Sequence, residues 1–352
     1  MTFNYWLRSA LGIENIVLRE LEQKLPVSAS ESAHRSLFVS LPEQGAEAAE
    51  VNLKALLGLA TADDVYKYLG SFHGADKTKA GAEELRLYFR KAIIPKLLEI
   101  YKPEAKYIRI TLSFLGKRNY SRFFVEEALN ELLAYETRYE VLSNDHADPF
   151  TPGELRLRIH IEGDTAHFGL GLQDKPLHRR PWRTESYAAQ LHPPLAAAMA
   201  LIARPAFSVI DPFCGSGTIL IEAAAQFSGL SYTGYDTDAE AVNAAAANAA
   251  ATGTVLNLHQ TDFHEVYQTA GDYFIISNPP WGEKHEISEE DESIFIKKLA
   301  DILNASKGCI VLIPEGMLAG LTAAGVPLKS FMQTRVRGIM VHLAGFNCGG
   351  LL

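Results

Sequence analysis

Asp211-Pro212-Phe213-Cys214-Gly215-Ser216-Gly217-Thr218 is the stretch on which the fold turns. It follows a short apolar run, 208–211, and opens a segment of helical character, 218–227. A glycine-bearing turn from strand to helix marks the carboxyl edge of an open α/β sheet, where such sheets bind ligands. Glycine lets the backbone approach a ligand closely. Outward from this loop the pattern alternates. A helix is predicted over 193–203, a strand over 231–236, a helix over 238–251 and strands over 255–259 and 273–277. Next come a helix over 291–305, a strand over 308–313 and two last strands around 335–337 and 340–343. Strands separated by helices predict a Rossmann-like, mostly parallel seven-stranded sheet with helices on both faces.

The loop also says what it does not bind. Leu220 stands where a dinucleotide fingerprint needs its third glycine, and no Gly-Lys-Ser/Thr follows, so neither NAD, FAD nor an ATP phosphate is expected. Instead an acid, Asp211, opens the loop, and a carboxylate suits an ammonium group better than a pyrophosphate. Asp236 ends the next strand, nineteen residues past Gly217, where an acid can hold ribose hydroxyls. Asp262 follows the third strand and can accept a hydrogen bond from an adenine amino group. A ligand with a ribose, an adenine, an amino-acid tail and no phosphate is S-adenosylmethionine. Phe213, Cys214, Gly215, Gly217 and Thr218 are the expected loop contacts, with Cys214 a small packing residue rather than a nucleophile.

Ser277-Asn278-Pro279-Pro280-Trp281-Gly282 follows the fourth strand on the same edge. An aromatic amine is a poor nucleophile because its lone pair is delocalised into the ring. An amide oxygen (Asn278) and a backbone carbonyl (Pro279) can accept its two N–H hydrogens and turn the lone pair out of conjugation. Pro280 with Pro279 stiffens the loop and removes competing donors. Trp281 offers a flat surface to a base, worth roughly 1–3 kcal/mol of stacking. Asn278 also lies close enough to the glycine loop to meet the cofactor. No metal is needed.

Asp211–Thr218 with Asn278–Trp281 resembles the class I amino-methyltransferases. Leu177-His178-Arg179-Arg180-Pro181-Trp182-Arg183 and Asn278-Pro279-Pro280-Trp281-Gly282-Glu283-Lys284 are similar to the corresponding segments of the THUMP-domain RNA guanine-N2 methyltransferases. The helix that starts Asp236-Thr237-Asp238 fits as well. The resemblance covers about residues 155–284. It implies an N-terminal α+β region, ferredoxin-like plus THUMP, that binds structured RNA over 1–171, a linker over 172–186 and a catalytic domain over 187–352. It also implies guanine N2 of transfer RNA or large-subunit ribosomal RNA as the acceptor. His178, Arg180, Trp182 and Arg183 become candidate substrate contacts together with Trp281. This chain departs from the family where Trp281 replaces Tyr and Pro181-Trp182 replaces Gly-Tyr.

Before residue 170 the pattern is irregular. Ile13, Ile16, Val17, Leu21 and Leu25 fall at helical spacing. Thr61-Ala62-Asp63-Asp64 reads as a helix start, and 83–100 as a helix interrupted at Pro95. The segment 107–113 reads as a strand, Ser121 as the cap of a helix to about 135, and 155–161 with 165–170 as a hairpin. The formal net charge of −9 argues mildly against nucleic acid, but charge is segregated. Residues 86–122 hold ten Lys/Arg (86, 90, 91, 96, 102, 106, 109, 117, 118, 122) against Glu99 and Glu104. That stretch reads equally as a solvated face or as an RNA contact; the acidic run 286–292 reads as a surface loop. Three cysteines without CxxC spacing imply neither a disulfide framework nor a zinc site. No apolar run is long enough to span a membrane and the start does not read as a signal peptide, so the expected compartment is the cytoplasm. The alternatives are adenine N6 in DNA or a protein glutamine as acceptor, and a cofactor-binding RNA module without turnover.

Overall fold

The computed structural model describes residues 3–43, 45–100, 105–144, 150–185, 187, 190–263, 272–281 and 289–349. The N-terminal part is built on one eight-stranded sheet. Its elements run β1 (Tyr5–Arg8), α1 (Glu14–Glu22), β2 (Ala29–Ala33), β3 (Ser36–Ser40), α2 (Ala46–Leu57) and β4 (Asp64–His73). They continue through α3 (Lys79–Tyr88), α4 (Ile94–Glu99), β5 (Tyr107–Phe114), α5 (Arg122–Glu136), β6 (Glu140–Val141), β7 (Glu154–Glu162) and β8 (Thr165–Gly171). The strand order is β2-β3-β1-β4-β8-β7-β5-β6.

Alternation along the strands separates two faces. Leu7, Leu37, Val39 and Val65 bury against α1 and α2, and Ile108, Ile110, Leu157, Ile159 and Phe168 bury against α3 to α5. The in-between positions carry Arg8, Tyr66, Arg109, Arg156, Arg158 and His160. The expected interruption at Pro95 is real. A π-helical turn, Phe89–Ile93, precedes the proline, which then sits in the first turn of α4, where its missing N–H is harmless. Ser121 caps α5 by accepting from the Phe124 N–H at 3.1 Å. Thr61–Asp64 is no helix start but the entry to β4. Thr61 gives its hydroxyl to Glu20 at 2.6 Å, while Asp63 and Asp64 pair with Arg35 and Arg156, so none of them caps.

The C-terminal part follows the predicted alternation: α6 (Pro193–Ala203), β9 (Ser208–Asp211), α7 (Thr218–Gln226), β10 (Tyr232–Asp236), α8 (Ala239–Thr252), β11 (Asn257–Gln260) and β12 (Tyr273–Ser277). Then come α9 (Glu289–Ala305), β13 (Gly308–Ile313), α10 (Glu315–Ala323), β14 (Lys329–Val336) and β15 (Ile339–Phe346). The sheet order is β11-β10-β9-β12-β13-β15-β14, parallel through β13 and antiparallel across β15. α6 is apolar all round and almost wholly buried, as a helix between layers must be. One side meets the sheet; on another, Ala10, Ile13 and Ile16 join its cluster and so tie the two parts together. Gly12 makes that approach feasible. Its φ is +85°, and an added Cβ would lie 2.1 Å from the Gln333 carbonyl oxygen on β14.

Candidate active site

β11, β10, β9 and β12 are parallel neighbours, so their carboxyl ends lie along one edge. Asp262, Asp236, Asp211 and Asn278 are therefore brought to that edge in this order. The turn after β9 reaches α7 through Gly217, at φ +78° with an added Cβ 3.1 Å from Ala245 Cβ; this position needs glycine both for its conformation and for its space.

Asp211 is 1 % exposed. Its Oδ1 accepts from the Phe213 N–H at 3.1 Å and from the Ser277 hydroxyl at 2.7 Å. Its Oδ2 is buried and has no partner. Burial pushes the carboxyl up to about 7, against the pull of the Ser277 and Phe213 hydrogen bonds. Asp236 is half-buried and braces the loop, accepting from Gly215 N–H at 2.9 Å and Asp238 N–H at 3.0 Å. Cys214 is buried, and burial raises its thiol far above the ordinary range; this fits packing and opposes nucleophilic use. Phe213 packs on Phe263 (4.8 Å between centroids) and Phe295 (5.8 Å), an apolar wall next in sequence to the exposed Asp262.

On the β12 side, Asn278 is half-buried and its Oδ1 is a second buried oxygen without a partner. Pro279 is buried and Pro280 exposed. Trp281 does not swing freely. Its indole N–H donates to the Leu312 carbonyl at 3.0 Å and its ring packs against the core on both sides of the sheet. Gly282 to Lys284, and residues 286–288 of the acidic run, lie outside the described residues.

The segment 172–186 is a strap held at every few residues. Arg180 pairs with Glu222 of α7 at 2.7 Å and donates to the carbonyls of Leu177 and Ala60. His178 sits on the Asp63 carbonyl, with backbone and ring nitrogens at 3.0 and 3.1 Å. Both side chains thus help to join the two parts of the chain. Arg183 stays at the loop: its Nη2 donates to Thr218 Oγ1 and to the Leu191 carbonyl, both at 2.9 Å, and its Nε is buried without a partner. Burial lowers its guanidinium from the usual value. Trp182 lies under Arg183, 5.5 Å from guanidinium carbon to ring centroid.

Three contributors escaped the sequence reading. Ser277 joins the two loops through Asp211. Asn248, wholly buried in the alanine-rich α8, accepts from the N–H groups of Thr184 and Glu185, both at 3.0 Å, and donates to the Ser216 carbonyl at 3.2 Å. Tyr187 donates to Asp238 at 2.7 Å. An amide interrupting an alanine run is a legible signal for the second of these. Among the described residues no group of three or more His, Cys, Asp or Glu is placed to hold a metal, and no helix is long and apolar enough to cross a membrane.

Comparison with known proteins bears on the same region. Residues 180–344 match the family described as UPF0020, RMKL-like, methyltransferase domain. A ribosomal RNA large subunit methyltransferase K/L from Methylococcus capsulatus is 44% identical over 77 residues, 20% of this chain and 10% of the relative. A U6 snRNA (guanine-N(2))-methyltransferase, THUMPD2 of Mus musculus, is 32% identical over 167 residues, 44% of this chain and 31% of the relative. The chain thus spans about a tenth of the first of these relatives and under a third of the second. The solved structure of SMU.472, a putative methyltransferase complexed with SAH, superposes with a TM-score of 0.75 at 20% identity and covers 100% of both chains. The fold, the glycine loop and the family match thus agree over one region: Arg180 to Ala344 is similar to the UPF0020, RMKL-like, methyltransferase domain.

Proposed function

We propose that this protein methylates the exocyclic N2 amine of a guanine in structured RNA, with S-adenosylmethionine as donor. The observation that carries the reading is the pair of buried, unpartnered oxygens, Asp211 Oδ2 and Asn278 Oδ1, on adjacent strands of one sheet edge. A buried polar atom without a partner is costly, and here one suits a cationic ligand and the other an N–H donor. The residues fit the cofactor. Asp211 would take its ammonium, Asp236 its ribose, and Asp262 beside the Phe213–Phe263 wall its adenine. SMU.472, of the same fold, was solved with SAH.

Bound there, S-adenosylmethionine would supply an electrophilic methyl group on a positively charged sulfur, a leaving group that departs as a neutral thioether. Asn278 Oδ1 and the Pro279 carbonyl accept the two amine hydrogens and aim the lone pair at the methyl carbon. Pro279 and Pro280 hold that acceptor pair rigid, so alignment costs little at the moment of reaction. The proton displaced from the amine leaves to water. Trp281, fixed by Leu312, presents a ring edge or face whose position does not depend on the substrate. Residues 1–171 are proposed as the RNA-binding α+β region, ferredoxin-like with THUMP, 172–186 as the strap and 187–352 as the catalytic domain. Transfer RNA and large-subunit ribosomal RNA are the proposed substrates, in the cytoplasm.

The test is incubation with methyl-labelled S-adenosylmethionine and separate pools of unmodified transfer RNA, ribosomal RNA, DNA and protein. The labelled pool is then digested and its products identified by mass spectrometry. N2-methylguanosine is expected from one RNA pool. Label in N6-methyladenine or methylglutamine instead would overturn the acceptor.

A further inference from the structure

Between the face of β1, β4, β5 and β7 that carries the charged side chains and the strap residues Pro176, His178 and Arg179 lies a cleft of about 410 Å³. Among the described residues, six arginines line it (Arg8, Arg35, Arg109, Arg156, Arg158, Arg179) against three acids, Asp63, Asp64 and Glu154. Each acid is taken by one arginine. Glu154 holds Arg109 at 2.7 and 3.0 Å, Asp64 holds Arg156, and Asp63 holds Arg35 at 3.3 Å. Arg8 and Arg158 are left with neutral partners. Arg8, only 8 % exposed, donates to Ser36 Oγ at 2.7 Å. Arg158 donates to Ser113 Oγ at 2.7 Å, and its Nε is buried without a partner.

A buried guanidinium beside another, without a carboxylate, is an uncompensated charge. Burial and the neighbouring Arg158 and Arg35 lower Arg8 to about 10. His160, two residues on from Arg158 along β7, is buried behind it. Its Nδ1 lies 2.8 Å from Ser113 Oγ, the same oxygen that accepts from Arg158. Burial, Arg8 and Arg158 push the imidazole down to about 3, so it is neutral, and its Nε2 is buried without a partner. Among the described residues the cleft thus gathers more positive than negative side chains, and Arg158 Nε is an unmet N–H donor.

We propose that this cleft is a phosphate site, with Arg8 and Arg158 as its paired donors, and that its occupant is a backbone phosphate of the RNA substrate. Guanidinium groups match the oxygens of a phosphate with parallel hydrogen bonds. The occupant rests on the RNA reading above; the surplus charge does not. Arg179, exposed at the rim and 5.7 Å from the Phe150 ring, extends the same positive surface outward.

The test measures dissociation constants of wild type, Arg158→Gln and Arg158→Lys for unmodified transfer RNA and unmodified large-subunit ribosomal RNA across a salt series. The melting temperature of each protein is recorded with and without inorganic phosphate. Arg158→Gln should bind the preferred RNA at least tenfold more weakly and lose about one unit of the salt slope, whereas Arg158→Lys should keep the slope. S-adenosylmethionine affinity should not change, which shows that the variant is folded. Wild-type affinity and slope for RNA in folded Arg158→Gln overturn the proposal while leaving the methyl-transfer reading intact. Phosphate stabilisation lost in the variant with RNA affinity unchanged overturns RNA as the source. Wild type that binds neither RNA overturns the substrate reading, and the cleft's occupant with it.

Discussion

Asp211 should make cofactor binding depend on pH in a range where aspartates ordinarily do not titrate. Its carboxyl is raised to about 7 by burial, against about 3.9 in an unfolded chain. Only the ionised form can balance an ammonium. Below pH 7 the protein must give up a proton before it binds the cation, and affinity should fall about tenfold for each unit of pH, 1.36 kcal/mol per unit. Between pH 6.5 and 5.5 the ionised fraction drops about eightfold for a group titrating at 7, and the dissociation constant for S-adenosylmethionine should rise by that factor. Both values lie below the range in which the ligand's own amine titrates, near 7.7–8.0 for an α-amino group. Calorimetry at the two pH values checks this, with Asp211→Asn as the control that should bind weakly and show no slope. The linked effect on the free protein has the opposite sense to the usual acid unfolding. The folded state holds this proton more tightly than the unfolded state, so the contribution is full below about pH 4 and is lost as pH rises through 7. An affinity constant within twofold across that interval, or the same slope in Asp211→Asn, would refute the placement of the cation at Asp211.

Asn278→Ala should lower the transfer rate by about 10²–10³, the usual loss for one oriented polar group in a site, and leave S-adenosylmethionine affinity within twofold; single-turnover kinetics beside calorimetry decides. Asp236→Ala should weaken cofactor binding, because it removes both a ribose acceptor and the brace on Gly215; an unchanged dissociation constant would mean the ribose lies elsewhere. Arg180→Leu should cost about 3–5 kcal/mol of stability, because it strands Glu222 as a buried charge; a denaturant midpoint equal to wild type would show that the strap is not held there.

The C-terminal sheet was legible because three of its central strands, β9, β10 and β12, end in chemically marked turns. The acid of 211, the acid of 236 and the amide of 278 announce both a strand end and a ligand. α6 was legible for a different reason: Pro193-Pro194 fixes its start and its unbroken apolar run can only be buried. α10 was missed because Gly316 and Gly320 lower the helical signal of its short sequence. The N-terminal sheet hid itself. β1 is buried at all four positions and so shows no alternation, and β2, Ala-Ser-Glu-Ser-Ala, has no large apolar residue and is a strand only because it pairs with β3. Thr61–Asp64 has the composition of a cap, but its acids are claimed by Arg35 and Arg156, 28 and 92 residues away. Several members of the basic stretch 86–122 are tied down by the fold. Arg109 is locked to Glu154, Lys96 to the Leu69 carbonyl, and Arg118 to the carbonyls of Ala75, Asp76 and Gly163. Two arginines with neutral hydrogen-bond partners, Arg8 and Arg158, lie outside that stretch, far apart in sequence and joined by the sheet. Arg156-x-Arg158-x-His160, alternating on one face of β7, was the local trace of this arrangement.

The strap is what gives the two sites one geometry. Pro176, His178 and Arg179 line the cleft; Arg180, one residue on, spans from the Ala60 carbonyl to Glu222 on α7. Arg183 then meets Thr218 at the first turn of that helix, Thr184 and Glu185 reach Ser216 through Asn248, and Tyr187 ends on Asp238. Twelve residues therefore run from a proposed phosphate site to the glycine loop with their polar groups committed at nearly every step. Such a segment has little freedom left to lose when substrate binds, so a phosphate held in the cleft would fix where the rest of the RNA lies relative to Asn278. Selection of one guanine among many would then come from distance along the RNA rather than from reading its neighbours, since an orphaned amide oxygen and a carbonyl can recognise an amine but not a sequence. Positioning of this kind needs no conformational signal between the sites. It needs only that the strap stay rigid, and its buried Arg180–Glu222 pair and Asn248 hub are the contacts that keep it so.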